Sequence, residues 1–166
     1  GKLSRGLGDV YKRQTEYIQK ITKSDDVLMM LASDKLKVAL ATTHIPIKSV
    51  SKQINKELII NKVNILNKDL MKKFNLKKPN IKILGLNPHA GENGLMGQED
   101  NLIIKPAIER ASREGINVSG PWPPDTVFMK AREGHFDIVV AQYHDQGLIP
   151  IKYLGLDSGV NITMGL

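Results

Sequence analysis

Short apolar runs alternate with amphipathic stretches along most of the chain. Continuous apolar runs of this length predict buried strands, and they cover residues 27–32, 38–41, 81–86, 136–141 and 160–164, with 118–119 as a candidate short strand. Apolar side chains three or four positions apart predict helices with one buried face, over residues 50–54, 59–74, 99–114 and 126–132. Strands that alternate with helices predict an α/β layered fold with a largely parallel sheet.

The two ends of the chain depart from this pattern. Residues 1–14, GKLSRGLGDVYKRQ, lack periodicity and also lack the apolar centre of a signal peptide. We interpret residues 1–14 as foreign, adapter-like sequence. Leu166 follows a predicted strand with no closing helix, so we expect the fold to be truncated at both ends.

Composition excludes some chemistry and some partners. The 166 residues contain no cysteine, so a bound metal would need His, Asp or Glu ligands. The absence of cysteine also agrees with a protein of the reducing cytoplasm. The net charge of +7 is typical of proteins that bind nucleic acid. Such a surface also needs aromatic side chains among the basic ones, on which bases stack. The three Phe, one Trp and four Tyr are not interleaved with the basic residues in this way. No apolar run approaches the roughly 18 residues of a membrane span. We expect a cytoplasmic protein that binds neither nucleic acid nor membrane.

Three of the four histidines follow predicted strands. His44, His89 and His144 each come after an apolar run, whereas His135 precedes one. The carboxyl ends of parallel strands form the ligand-binding edge of an α/β sheet, and neutral imidazole is a common ligand of divalent ions. The three histidines therefore predict a metal site, with partly buried hydrogen-bonding side chains as the alternative. We expect His135 at the opposite edge.

Other polar residues each allow two interpretations. Asp145 either orients the His144 ring or caps a helix, and the sequence favours the cap. Asp125 is a candidate helix cap or a catalytic carboxylate. Lys152 is a surface lysine or a group that transfers a proton. The loop 87–97 has glycines spaced as G-x-x-G-x-x-G, which is neither the dinucleotide motif nor a phosphate loop. It is a tight turn or a place where backbone approaches a ligand.

Five sequence blocks occur in a fixed order. They are ATTHIP at 41–46, LNPHAGE at 86–92, GPWPPDT at 120–126, YHDQG at 143–147 and GVNIT at 159–163. Together they resemble the signature blocks of the 4-hydroxythreonine-4-phosphate dehydrogenase family, from Thr15 to Leu166. The resemblance implies an isocitrate/isopropylmalate dehydrogenase-like fold. It also implies NAD(P)-dependent oxidation of 4-phosphooxy-L-threonine, with subsequent decarboxylation, in pyridoxal phosphate (vitamin B6) biosynthesis.

The resemblance further implies the cofactors, the partner and the roles of individual residues. The expected cofactors are NAD or NADP and one divalent ion (zinc, cobalt or magnesium), and the expected partner is a second subunit with the metal site at the interface. The implied metal ligands are His44, His89 and His144. The residues that match substrate-contacting positions are Thr15, Asp125, Lys152 and Asn161, of which Asp125 and Lys152 are also candidates for proton transfer. Gln14 stands where the family's Gly-His-Thr-Glu motif has its histidine.

The same resemblance suggests how the chain is divided. Residues 15–124 are expected to form a central substrate and dimerisation domain, and residues 125–166 the incomplete start of a returning cofactor-domain segment. Because about half of the family's chain is absent, we expect these 166 residues alone to be inactive. The alternative function is that of a sister dehydrogenase acting on a phosphorylated sugar acid such as 4-phosphoerythronate or 4-phosphothreonate.

Overall fold

The computed structural model describes residue 17, residues 27–154 and residues 160–166. The interpretation of residues 1–14 and the substrate-binding prediction for Thr15 fall outside these ranges. No helix within the described ranges is both long enough and apolar enough to cross a membrane.

The described residues form one six-stranded sheet with helices on both faces. The strands are β1 (Leu28–Ala32), β2 (Lys37–Leu40), β3 (Ile81–Leu84), β4 (Val118–Trp122), β5 (Ile138–Ala141) and β6 (Val160–Met164). The helices are α1 (Ile47–Gln53), α2 (Lys56–Lys73), α3 (Lys105–Arg113), α4 (Pro124–Arg132) and α5 (His144–Tyr153). The strand order is β4-β3-β5-β2-β1-β6. Strands β4, β3, β5 and β2 are parallel, and β1 is antiparallel to both of its neighbours. The predicted α/β fold with a largely parallel sheet is confirmed.

The long helix α2 shows how local sequence produces this packing. The Asn55 side chain accepts a hydrogen bond of 2.8 Å from the Leu58 backbone N–H, which satisfies one of the free N–H groups at the helix start. The helix therefore begins a few residues before the predicted residue 59. Val63, Leu66 and Leu70 are fully buried, because their spacing places them on one face.

The sheet separates two apolar clusters, because successive side chains of a strand point to opposite faces. Ile81 and Ile83 of β3 pack in the cluster that α2 and α3 cover. Leu84 packs on the other face, in the cluster that includes Val127 of α4 and Ile151 of α5.

One helix differs from the sequence-based prediction. The predicted helix over residues 99–114 begins with a π-helical turn, Asp100–Ile104, and becomes α-helical only at Lys105. The predicted domain boundary between residues 124 and 125 does not coincide with a break in the fold. Strand β5, from the second segment, pairs in parallel with both β2 and β3. Its residues are all buried in the centre of the sheet. The division into residues 15–124 and residues 125–166 stays a prediction.

Candidate metal and substrate site

Two of the three candidate histidines meet at the carboxyl ends of β2 and β5. These neighbouring strands are parallel, and the pairing continues beyond them through a backbone hydrogen bond from Ala41 to Ala141 of 2.8 Å. The Thr42 hydroxyl then donates to the Gln142 carbonyl at 2.6 Å. As a result the His44 and His144 rings lie with their centres 5.4 Å apart and their planes at 46°.

The histidine pair opens into a cleft of about 510 Å³. The cleft is lined by Thr43, His44, Ile45, Ile47, Val50, Tyr143, His144 and Asp145. Two imidazoles that share one tetrahedral ion, each nitrogen about 2.1 Å from it, have ring centres roughly 5 Å apart. The observed spacing therefore fits two ligands of one divalent ion.

Asp145 contacts His144 and does not cap the helix. Its Oδ1 lies 2.7 Å from Nδ1 of His144, while α5 begins after Tyr143 with no side-chain capping hydrogen bond. The prediction that Asp145 is a cap was wrong, because helix α5 already begins at His144. A carboxylate that accepts from Nδ1–H fixes the ring and leaves Nε2 available as a metal ligand.

The third candidate, His89, lies on an unusual turn. Residues 89–93 all have positive φ, between 42° and 80°, although only Gly91 is a glycine. L-residues with side chains rarely adopt this left-handed conformation, and each one costs of order 1–3 kcal/mol. The surrounding structure must therefore hold the turn in place. His89 is 61% exposed, and its Nδ1 lies 4.0 Å from Oδ2 of Asp125.

A buried carboxylate, Asp100, holds the chain that leads into this turn. Asp100 is fully buried, and it accepts hydrogen bonds from the backbone N–H groups of Leu86 at 2.8 Å and Asn87 at 3.1 Å. The turn packs so closely here that a Cβ on Gly85 would lie 2.6 Å from Cα of Ala90. Sequence reasoning missed Asp100. The available signal was its position on the apolar face of the predicted helix, three residues before Ile103.

Asp100→Ala is expected to lower the free energy of unfolding by about 3 kcal/mol, because it leaves two partly buried backbone donors without an acceptor. Asp34→Ala removes an exposed carboxylate and should change stability by less than about 0.5 kcal/mol. Urea unfolding followed by circular dichroism measures both changes. Similar small effects from the two variants would show that Asp100 does not support the turn.

Glu99 joins the same loop to helix α1. The Ser51 hydroxyl donates to one carboxylate oxygen of Glu99 at 2.6 Å, and the Asn87 side-chain amide donates to the other at 3.0 Å. The hydrogen bond from Ser51 is the largest of the effects that lower the pKa of Glu99. Glu99 therefore stays ionised and ties the loop of His89 to the helix that follows His44.

Asp125 lies near His89 and not at a helix cap. Helix α4 begins at Pro124 after Pro123, with no side-chain capping hydrogen bond. The predicted cap was wrong because Asp125 lies inside the first turn. Its carboxylate is 60% exposed and faces the imidazole of His89. Its predicted catalytic and substrate-binding roles remain predictions.

Lys152 and Asn161 lie away from the histidine pair within one chain. Lys152 is exposed in the last turn of α5, eight residues after His144, which is about 12 Å along a helix axis. Asn161 pairs with Leu31, which in turn pairs with Val38, a residue of β2 well before its carboxyl end. The expected reach of Lys152 to a group bound by His144 stays a prediction.

Within residues 27–154 and 160–166, no group of three or more His, Asp or Glu side chains forms a complete metal site. The structure instead brings His44, His144 and Asp145 together, and places His89 with Asp125 in a separate contact. His135 lies before β5, where its Nε2 is 2.9 Å from Oε2 of Glu133. The expectation that it lies at the opposite edge of the sheet is confirmed.

The fold is that of an α/β protein, and the histidine pair makes the carboxyl ends of its parallel strands the candidate ligand site. The family model described as pyridoxal phosphate biosynthetic protein PdxA matches residues 6–166. The chain belongs to this family. The match includes residues 6–14, which we had interpreted as foreign sequence.

Individual relatives support the same assignment. The chain is 48% identical to a 4-hydroxythreonine-4-phosphate dehydrogenase of a Sulfurihydrogenibium species, over 96% of this chain and 49% of the relative. It is 45% identical to a D-threonate 4-phosphate dehydrogenase of Pectobacterium atrosepticum, over 96% and 48%. The crystal structure of 4-hydroxythreonine-4-phosphate dehydrogenase from Klebsiella pneumoniae matches with a TM-score of 0.86 and 43% identity, covering 92% of this chain and 46% of that one. The chain thus spans about half the length of the curated relatives it matches.

Proposed function

We propose that the protein is an NAD(P)-dependent, metal-assisted dehydrogenase that oxidises 4-phosphooxy-L-threonine in pyridoxal phosphate biosynthesis, in the cytoplasm. The observation that carries the proposal is the His44–His144 pair, oriented by Asp145, in a cleft at the carboxyl edge of the sheet. Relatives at 48% and 49% identity carry the name of this dehydrogenase. We further propose that the oxidised product then loses carbon dioxide.

The proposed reaction requires a bound metal ion and a group that accepts a proton. Oxidation of a secondary alcohol transfers a hydride from carbon to NAD(P) and removes the hydroxyl proton. A bound zinc, cobalt or magnesium ion would lower the pKa of that hydroxyl. His44 and His144 would hold the ion, with Asp145 fixing the His144 ring. Asp125 or Lys152 would take up the proton, since each can accept one when placed within hydrogen-bond distance.

We propose that the active protein is a homodimer with this site at the subunit interface. The support is the incompleteness of the site in one chain. The third proposed ligand, His89, contacts Asp125 and not the histidine pair, and Lys152 lies at the far end of α5. A second subunit would supply the missing groups to each cleft. Asn161 and Thr15 remain proposed substrate contacts.

The experiment that tests the function is an assay of the full-length protein with NAD and with NADP. We expect kcat/KM for 4-phosphooxy-L-threonine to exceed that for D-threonate 4-phosphate by at least about tenfold, which corresponds to the net free energy of about one hydrogen bond. The reverse preference would select the sister function, which the relative from Pectobacterium atrosepticum supports. Turnover of neither substrate would contradict a dehydrogenase of this class. Residues 1–166 alone, as the matched control, should leave NAD(P) unreduced.

A further inference from the structure

A second pocket lies on the opposite face of the sheet from the histidine cleft. It has a volume of about 280 Å³ and is lined by Lys82, Trp122, Val127, Lys130, His135 and Phe136. Trp122, Val127 and Phe136 belong to the apolar cluster beneath α4 and α5. The histidine cleft shares none of these residues and borders the other cluster through Val50.

The pocket contains a lysine in an unusual place. Lys82 is in the middle of β3, between the buried residues Ile81 and Ile83, and its side chain points to the face that is apolar at Leu84. Its ammonium group lies 4.9 Å from the centre of the Trp122 ring and 6.0 Å from that of Phe136. It also donates a hydrogen bond of 2.8 Å to the hydroxyl of Ser119. A half-buried ammonium group is costly unless it is paired.

The positive charge here is not balanced by neighbouring acids. Lys130 brings a second ammonium group within 6.0 Å of the Trp122 ring. Among the described side chains, neither lysine has a carboxylate within 4.0 Å. Glu133 lies at this end of the sheet but contacts His135. Burial lowers the pKa of Lys82, and the charge of Lys130 lowers it further. A bound anion would relieve both effects.

Polar groups in the pocket can receive such an anion. The Ser119 hydroxyl already accepts from Lys82 and from the Trp122 indole N–H, at 2.8 and 3.1 Å. Because that oxygen accepts from both groups, Ser119 holds the Lys82 ammonium group beside the Trp122 ring at the pocket wall. The aromatic rings and Val127 provide apolar walls, and the volume is near the lower end of small-molecule sites, about 300 Å³.

We propose that this pocket binds a small organic anion, an oxyanion head such as a phosphate or carboxylate on an apolar body about the size of one ring. The two ammonium groups bind the head, and Trp122, Phe136 and Val127 contact the body. The site is separate from the substrate cleft and does not depend on the proposed dehydrogenase activity.

The probe is phenyl phosphate, with benzoate as the carboxylate arm, titrated into the full-length protein while tryptophan fluorescence is recorded. Trp122 is the only tryptophan of the 166 residues, and subtracting the signal of Trp122→Phe isolates its response. We expect saturable quenching by at least one of these two probes. It should be at least about tenfold tighter than binding of inorganic phosphate or benzyl alcohol, since head and body both contribute. No saturable quenching, or equally tight binding of inorganic phosphate, would overturn the proposal.

Matched lysine variants locate the binding. Lys82→Gln and Lys130→Gln should each weaken binding by roughly tenfold, the usual loss of one charge-assisted hydrogen bond. Lys130 is exposed, so its variant keeps the test informative even if Lys82→Gln impairs folding. Lys72→Gln, on the exposed side of α2, should bind like the parent protein, and so should His144→Ala. Unchanged affinity in Lys130→Gln, or a loss in His144→Ala as large as in the lysine variants, would refute the site.

Discussion

His44→Ala and His144→Ala are each expected to remove the metal from the full-length protein and to lower kcat by roughly 10³-fold, since a catalytic ion contributes several kcal/mol of charge stabilisation. The physical reason is the spacing of the two rings, whose centres are 5.4 Å apart. Removal of either ring leaves only one imidazole of the pair to bind the ion. Metal content by atomic absorption, measured beside the rate, checks the result. His89→Ala should show the same losses if His89 is the third ligand.

Two further variants provide an intermediate case and a control for the loss of metal. Asp145→Asn keeps both rings but weakens the contact that orients His144, so metal affinity should fall by about 10–100-fold. His135→Ala changes a histidine at the opposite edge of the sheet, bonded to Glu133, and should keep both metal and activity. An equal loss from His135→Ala would show that the position at the strand ends does not identify the ligands.

Lys152→Ala is expected to lower kcat by roughly 10²–10⁴-fold, the range for a positioned acid or base, while metal content stays near normal. Lys152→Arg should rescue little, because an arginine does not release its proton near neutral pH. Lys68→Ala, an exposed lysine of α2, serves as the control and should be fully active. If Lys152→Arg kept near-full kcat and Lys152→Ala raised only KM, Lys152 would be a charge contact, and Asp125 would remain for proton transfer.

Mixed dimers test whether Lys152 acts across the interface. Lys152 lies about 12 Å along α5 from His144 in its own chain, so we expect it to serve the cleft of the second subunit. Subunits carrying Lys152→Ala, mixed with subunits carrying His144→Ala, should then form dimers with one intact site and regain activity. Mixtures that stay as inactive as the separate variants would place both residues in the same chain's site.

Much of the fold was predictable because buried strands carry continuous apolar runs. The runs at residues 38–41 and 136–141 correspond to β2 and β5, and their parallel pairing follows from the α/β pattern. Helix α5 was missed because it contains Gly147 and Pro150, two residues that usually interrupt helices. The antiparallel placement of β1 was also missed, since strand order and direction depend on contacts distant in sequence.

The candidate site was predictable only where it depends on local sequence. The position after a strand is a local property, and it correctly placed His44 and His144 at one edge. Which histidines meet depends on strand order, and β2 lies directly beside β5. The left-handed turn at His89 could not be predicted, because four of its five residues are not glycine and a run of five residues with positive φ is rare. Asp100 holds the residues that lead into that turn through hydrogen bonds to Leu86 and Asn87, and this contact cannot be seen in the local sequence.

The pairing of β6 with β1 has a consequence for how the chain acquires its structure. Ala32 pairs with Val160 and Leu28 with Met164, so this ladder joins segments roughly 130 residues apart, and contacts of such high order form slowly. The Gly165 N–H also donates to Asp69 of α2 at 2.9 Å. During synthesis β1 can pair with β2 early, but one of its edges stays without a partner until residue 164 leaves the ribosome. An unpaired strand edge favours association with other unfinished chains, so completion of β6 removes this hazard from β1.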